Sequence, residues 1–426
     1  MTLSRRTLFA AGGAAAVLGG AAACGSDGGG GGGSDAGGDA GGELSVLTPI
    51  FEDSEGKKTL EETIAGSFEG DLSLTVDYTP WDRLNEKLTT SIAGGMATDI
   101  FMSGVGWIPP FAHKGVFAAL DDSILEGLDI HEKLLDMCRY EGALHALPYQ
   151  MDGRMIIGNR TLMEERGITE VPATLEEFRE MLKEAQGGGV ESPLDLYSNN
   201  IRQTWVHLVS CFGGSLFTED GSAVAFDDGS GEAALDYMIA LIDDGSTNFD
   251  LRAAEGQPRP WQQGKVIFEL AGSGIWPDLY EQTGDMVTEE AMSIDLLPGA
   301  EGNDPVLFLG GTLVSIGERA RDPELAERFV KHLYTPENLA VAAVHGGRVP
   351  AVNTLPEDPV LAENRFISFV SENLDYAGGT EGGSPAWMEL RGALNPEIEA
   401  AVTGSQTPAE TIARLKQTAD DAISRL

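Results

Sequence analysis

An α/β protein of two lobes is predicted by three observations. The chain has 426 residues, more than one hydrophobic core usually supports. Strands and helices alternate from residue 44 onward, the order that builds α/β layers. Apolar residues make up 42% of the chain and aromatic residues 7%, enough Leu, Ile, Val and Phe for two cores.

Residues 1–24 read as an export signal. Arg5 and Arg6 precede an uncharged Ala/Gly-rich run, Thr7 to Ala23, too short and too weakly apolar for a stable membrane span. Ser4-Arg5-Arg6-Thr7-Leu8-Phe9 resembles the twin-arginine motif; an ordinary charged leader is the plainer reading. Ala21-Ala22-Ala23-Cys24 resembles a bacterial lipobox, with Ala21 where Leu is usual, which implies lipidation of Cys24. Residues 25–43 hold eleven glycines with Asp27, Asp35 and Asp39. Such a segment cannot bury a core and reads as a flexible tether spanning on the order of 25 Å.

The globular pattern begins with Leu44-Ser45-Val46-Leu47, a short strand. Leu60, Ile64 and Phe68 follow at helical spacing, then Leu72, Leu74, Val76 and Tyr78 alternate in period two. Leu84, Leu88 and Ile92 return to helical spacing, and Asp99-Ile100-Phe101-Met102 gives another strand. Thr174 with Glu177 forms a capping box ahead of Leu175, Phe178 and Leu182, and Gly187 to Gly189 ends that helix. Asp322-Pro323, Thr335-Pro336 and Thr407-Pro408 each place a capping side chain before a proline at the first helical position.

Acidic residues number 68 against 28 basic, a formal charge of -40. So negative a surface repels polyphosphate and anionic lipid, which argues against nucleic acid as a partner and favours solubility outside the cell. Three cysteines make no disulfide framework. Apart from Cys24, Cys138 and Cys211 sit in apolar patterns and read as buried free thiols, although a bridge between them remains open.

Several stretches, in order along most of the chain from residue 44, resemble the family 1 extracellular solute-binding proteins of ABC importers. Ala97-Thr98-Asp99-Ile100-Phe101 through Trp107 to Gly115-Val116-Phe117-Ala118-Ala119-Leu120-Asp121 is similar to the family's first-lobe signature. Glu141 to Tyr149, then Gly158-Asn159-Arg160, Gly167-Ile168 and Pro172-Ala173-Thr174, resemble its hinge crossing and following helix, with Gly158 where Tyr is usual and Ala173 where Lys is common. Phe212-Gly213-Gly214-Ser215, Gln263-Gly264-Lys265-Val266-Ile267-Phe268, Gly272-Ser273-Gly274-Ile275-Trp276, Gly310-Gly311-Thr312 and Gly346-Gly347-Arg348-Val349-Pro350 continue the likeness. The resemblance implies a class II periplasmic-binding-protein fold with a hinge crossed several times, near 149–153, 296–299 and 348–351. Lobe one would hold 44–150 plus 298–347, and lobe two 151–297 plus 348–426. It also implies a monomer that captures a sugar between its lobes and passes it to the importer's permease subunits, without a cofactor or metal.

A sugar offers a nearly apolar C–H face and a rim of hydroxyls, so a site needs flat aromatics and charged or amide groups. Trp276, in a Gly-rich loop after a strand, is the first candidate for stacking. Trp107 serves stacking or the core equally well, and Trp205 shares an apolar helix face with Leu208 and Val209. For the rim the candidates are Glu52 beside Phe51, Asp152 just past the hinge, the backbone at Gly311, and Arg348. Each also reads as a solvated loop charge, and Arg348 as the partner of an acidic neighbour. Asp99 reads as capping a strand end. Trp81, Trp261 and Trp387 carry no assignment.

Other function classes are weighed by what is absent. There is no Gly-x-Ser-x-Gly elbow, His-Glu-x-x-His or P-loop, and the six histidines are scattered. A glycan-active lipoprotein enzyme with paired carboxylates, a protein-interaction module, and a binder of a polyol or glycerophosphodiester are the alternatives.

Overall fold

The computed structural model describes residues 42–94, 98–198, 200–253 and 257–426. Cys24, Arg5 and Arg6 lie outside these residues, as does most of the tether. Among the described residues no helix is long and apolar enough to cross a membrane.

Ten strands form one sheet: β1 (Gly42–Thr48), β2 (Leu72–Tyr78), β3 (Ile100–Gly104), β4 (Leu147–Asn159), β5 (Leu194–Asp195), β6 (Phe268–Gly272), β7 (Met292–Asp295), β8 (Leu307–Ile316), β9 (Val349–Pro350) and β10 (Ala377–Gly378). The main path runs β2-β1-β3-β8-β4-β6-β5. At one end β1 pairs in parallel with β2 and β3. At the other, β5 and β6 are parallel. Between them β8 lies antiparallel to both β3 and β4, and β6 antiparallel to β4. Parallel pairs need crossover helices, so the alternating elements of the sequence belong to the two ends.

β4 joins those ends. Its 13 residues reach about 40 Å at the usual rise of a strand. Residues 147–154 pair with β8 and residues 154–158 with β6.

Two hydrophobic cores flank this crossing. The first gathers β1, β3, Trp107, Phe111 and the helix Pro323–Leu333; the second gathers Trp205, Phe226, Phe268, Trp387 and Leu415. Met151 and Met155 of β4 enter the first, while Ile156 enters the second. Trp276, Phe366 and Val370 also pack into the first core, although the sequence places them in lobe two. The reason is local: Gly153 has no side chain, and Val370 of the helix Arg365–Glu372 fills the space beside it.

Most expected caps form. Thr174 accepts from the Glu177 amide, Asp322 from the Leu325 amide, and Thr407 makes a full capping box with Glu410. Thr335 does not cap: its hydroxyl donates back to the His332 carbonyl. Asp99 is fully buried just before β3 and clamps the strand ends, accepting from the Ser45 amide and hydroxyl and from Arg321. Burial pushes its carboxyl upward, but those hydrogen bonds prevail and hold it down at about 2.

Cys138 and Cys211 are unbridged and buried. Cys138 belongs to the first core and Cys211 to the second, so a bridge between them does not form. Gly158 is hemmed in by Ser293, Met163 and Phe268; these side chains fill the space a tyrosine would need.

Candidate functional site

Loops that follow the parallel strands β1–β3 collect at one edge, and β6, which runs the opposite way, ends opposite Arg154 of β4, near where β3 ends level with Gln150. The loop after β1 carries Phe51, that after β2 carries Trp81, and that after β3 carries Trp107; Ser273 and Trp276 follow β6. Asp152 and Arg154, two apart on β4, leave the same face of the strand.

Asp152 is the hub of one cluster. Its Oδ1 accepts from the Ser273 hydroxyl at 2.9 Å and the Gly274 amide at 3.1 Å. Its Oδ2 lies 3.3 Å from Arg154 and 3.6 Å from Arg348. Burial works to raise this carboxyl, and the two guanidinium groups outweigh it, holding Asp152 below the usual carboxylate range. Gly272 makes room for the pair, because a methyl there would strike Arg154 Nη1 at 1.8 Å. Arg154 also donates to Gln203 Oε1 at 2.6 Å, which carries the cluster to the helix Ile201–Cys211.

A second cluster continues from the same helix. Arg202 donates to Glu381 at 2.6 Å. Arg391 feels the charges of Arg202 and Glu381 and lies over the Trp107 ring, 5.5 Å from its centroid. Trp107 packs edge-on to Trp81 and stacks on Phe111. The Trp387 indole nitrogen faces Gly106. Four buried donors of these clusters, Gln150 Nε2, Arg154 Nε, Trp387 Nε1 and Arg391 Nε, have no protein acceptor. Unmatched buried donors are costly and uncommon.

Beside Glu381 a groove of about 430 Å³ opens between Val105, Pro109 and residues 377–383. A second groove of about 430 Å³ shares Ala377, Gly378 and Thr380 and is walled by Ser210, Asn303 and Tyr376. Both fall in the range typical of small-molecule sites.

The residues singled out from sequence fare differently. Asp152 and Arg348 meet in the first cluster, and Gly311 lies opposite Met151 in the β4–β8 register. Phe51, 3% exposed, stacks on His345 with a left-handed backbone at φ 64°, an arrangement uncommon outside glycine and enriched at functional loops. Glu52 beside it is exposed. Trp276 is 6% exposed, packed edge-on to Phe366 and stacked on Tyr280. Trp205 is fully buried, packed against Phe226 and donating to the Gly231 carbonyl; its surface is spent on the second core, leaving none for a solute. Sequence reasoning missed Trp81, Arg154, Arg202, Gln203, Glu381, Trp387 and Arg391. Trp81 had a signal, since it opens the helix after β2, at the same edge as the loop after β3.

Deeper in the sheet, Glu269 of β6 is fully buried against Arg259. Burial first, and then Asp195, push its carboxyl up to about 7 despite Arg259. His207, one turn from Gln203, donates from Nε2 to the Val306 carbonyl; burial holds it down at about 4. The signs oppose. Between about 4.5 and 7 the native state retains the Glu269 proton that the unfolded chain releases, so this residue lowers stability as pH rises. His207 raises stability from about 4 to 6.5, where only the unfolded chain takes up its proton. Glu269→Gln should therefore steepen the rise in urea midpoint between pH 5 and 7; an unchanged profile would refute the assignment.

A family model for the bacterial extracellular solute-binding proteins matches residues 64–366. The chain belongs to that family. Among similar members, the diacetylchitobiose binding protein DasA of Streptomyces coelicolor is 25% identical over 384 residues, covering 85% of this chain and 86% of DasA. The galactooligosaccharide-binding protein of Bacillus subtilis is 23% identical over 391 residues, 88% of this chain and 89% of that one. The sugar-binding protein MalE of Xanthomonas citri superposes with a TM-score of 0.75 at 17% identity, covering 90% and 98% of the two chains. The GacH receptor of Streptomyces glaucescens gives 0.73 at 19%, covering 90% and 99%. The solute-binding protein thus has the α/β, two-lobe fold of class II, as the sequence predicts.

Proposed function

We propose that this solute-binding protein is the sugar-capturing, lipid-anchored component of an ABC importer. The supporting observation is the run of charged and aromatic groups from Arg348 to Trp107, with buried donors that lack protein acceptors. Sugar hydroxyls supply such acceptors, and the half-buried Trp81 offers flat apolar surface for a ring face. The names of its relatives, a diacetylchitobiose and a galactooligosaccharide binder, favour a di- or oligosaccharide.

In this reading the lobes comprise 44–150 plus 298–347 and 151–297 plus 348–426, and the site residues are Asp152, Arg348, Gly311, Trp107, Phe51, Glu52 and Trp276. Solute contacts made only in the closed form draw the lobes together. The closed monomer is what the permease subunits recognise, and Cys24 keeps it at the outer face of the membrane. No chemistry is done on the sugar.

A thermal-shift panel of mono-, di- and oligosaccharides tests this. A true ligand at about a hundred times its Kd should add about 2.7 kcal/mol of stability. Indifference to every saccharide, or turnover of one of them, would overturn the proposal.

A further inference from the structure

The charge of the candidate site is opposite in sign to that of the chain. Overall the acids outnumber the bases by more than two to one. Among the described residues, Arg154 and Arg348 pair with Asp152 and Arg202 pairs with Glu381, while Arg391 feels the charges of Arg202 and Glu381. Both carboxylates are already engaged: Asp152 by Ser273, Gly274 and two guanidinium groups, Glu381 by Arg202.

Resting on the sugar-binding reading, we propose that the solute is an anionic saccharide, one bearing a carboxylate or phosphate that these guanidinium groups receive. Two positive charges are left over in a largely buried place. Arginine cannot shed its proton to escape that cost, so relief must come from an outside anion. The Arg154 and Arg202 side chains are 13% and 7% exposed, so water screens them weakly. Arg391 is the most exposed to this imbalance: burial, then the like charge of Arg202, act to weaken its hold on a proton, with only Glu381 opposing. Its Nε and that of Arg154 have no protein acceptor. A guanidinium fork matches carboxylate or phosphate oxygens two at a time, and the half-buried Trp81 beside Trp107 leaves a flat surface for the sugar ring.

Calorimetric titration of the full chain with digalacturonate, a hexose phosphate and a neutral disaccharide tests the proposal. At least one charged probe should bind about tenfold or more tightly than the neutral one, as a charge-assisted hydrogen bond of about 1.5–3 kcal/mol requires. The carboxylate and phosphate arms identify which anion the site takes. Arg391→Gln should reduce the ratio of charged to neutral affinity about tenfold; should that variant not fold, Arg348→Gln, at the more exposed guanidinium, gives the same comparison. Equal affinity for charged and neutral sugars, or a ratio unmoved by the substitution, overturns this inference and leaves the sugar-binding reading standing. Failure of every saccharide, neutral ones included, sinks both.

Discussion

Asp152→Ala is expected to destabilise the protein by about 3 kcal/mol or more, read as a lowered urea midpoint. The carboxylate is 9% exposed and sits between Arg154 and Arg348 on the one long strand shared by both cores. Removing it leaves two cations facing each other where water screens poorly, and breaking a buried pair costs about 3–5 kcal/mol because the surviving charge is uncompensated. Asp152→Asn separates charge from shape, since an amide oxygen still accepts from Ser273 and Gly274. It should lose most of the same stability at pH 7 if charge dominates. The acid limb gives a further check. Asp152 is held below its usual range, so its contribution is complete above the ordinary aspartate pKa and fades as pH falls through the lowered value. In both variants that part of the acid limb should flatten. A variant as stable as wild type would show that the arginines, not the carboxylate, organise the crossing.

Gly311→Ala should cost about 2–4 kcal/mol, and its neighbour Gly310→Ala less than about 1. Gly311 has φ 143° beside the irregularity in the β4–β8 register, a conformation open to glycine and strained for alanine. A methyl there would lie 2.5 Å from the Gln150 carbonyl oxygen and 2.8 Å from Met151 Cα. Both are backbone atoms of β4, so relief requires moving the strand that carries Asp152. At Gly310 the nearest atoms are 3.7 and 3.8 Å away, ordinary contact. Equal urea midpoints for the two variants would refute the steric account.

What could be read from the sequence was what local physics decides. Alternation at 72–78, the Thr174 cap and the strand before Trp107 depend on neighbours a few residues away, and they form, although Glu177 does not return the second bond of a full capping box. Asp152 and Arg348 are singled out by their places just past the hinge and at the third crossing, and the structure brings the two side chains together. The rest of the cluster is assembled by tertiary contact: Arg202 finds Glu381, and Arg391 finds Trp107, from segments whose sequence spacing carries no pattern. Trp276 shows the same limit. A glycine-rich loop suggests an open ring, and only the packing of a downstream helix brings Phe366 against it. Thr335 fails as a cap for a nearer reason, since its hydroxyl has a closer acceptor in the preceding turn.

The placement of one thiol in each core provides a pair of built-in clocks. Cys138 and Cys211 are shielded, and burial pushes both thiols upward, so an alkylating reagent reaches either only when its own half of the molecule opens. Mass tagging of the two sites over time would give separate opening rates for each half. A saccharide that slowed both equally would act by locking the halves into one cooperative body.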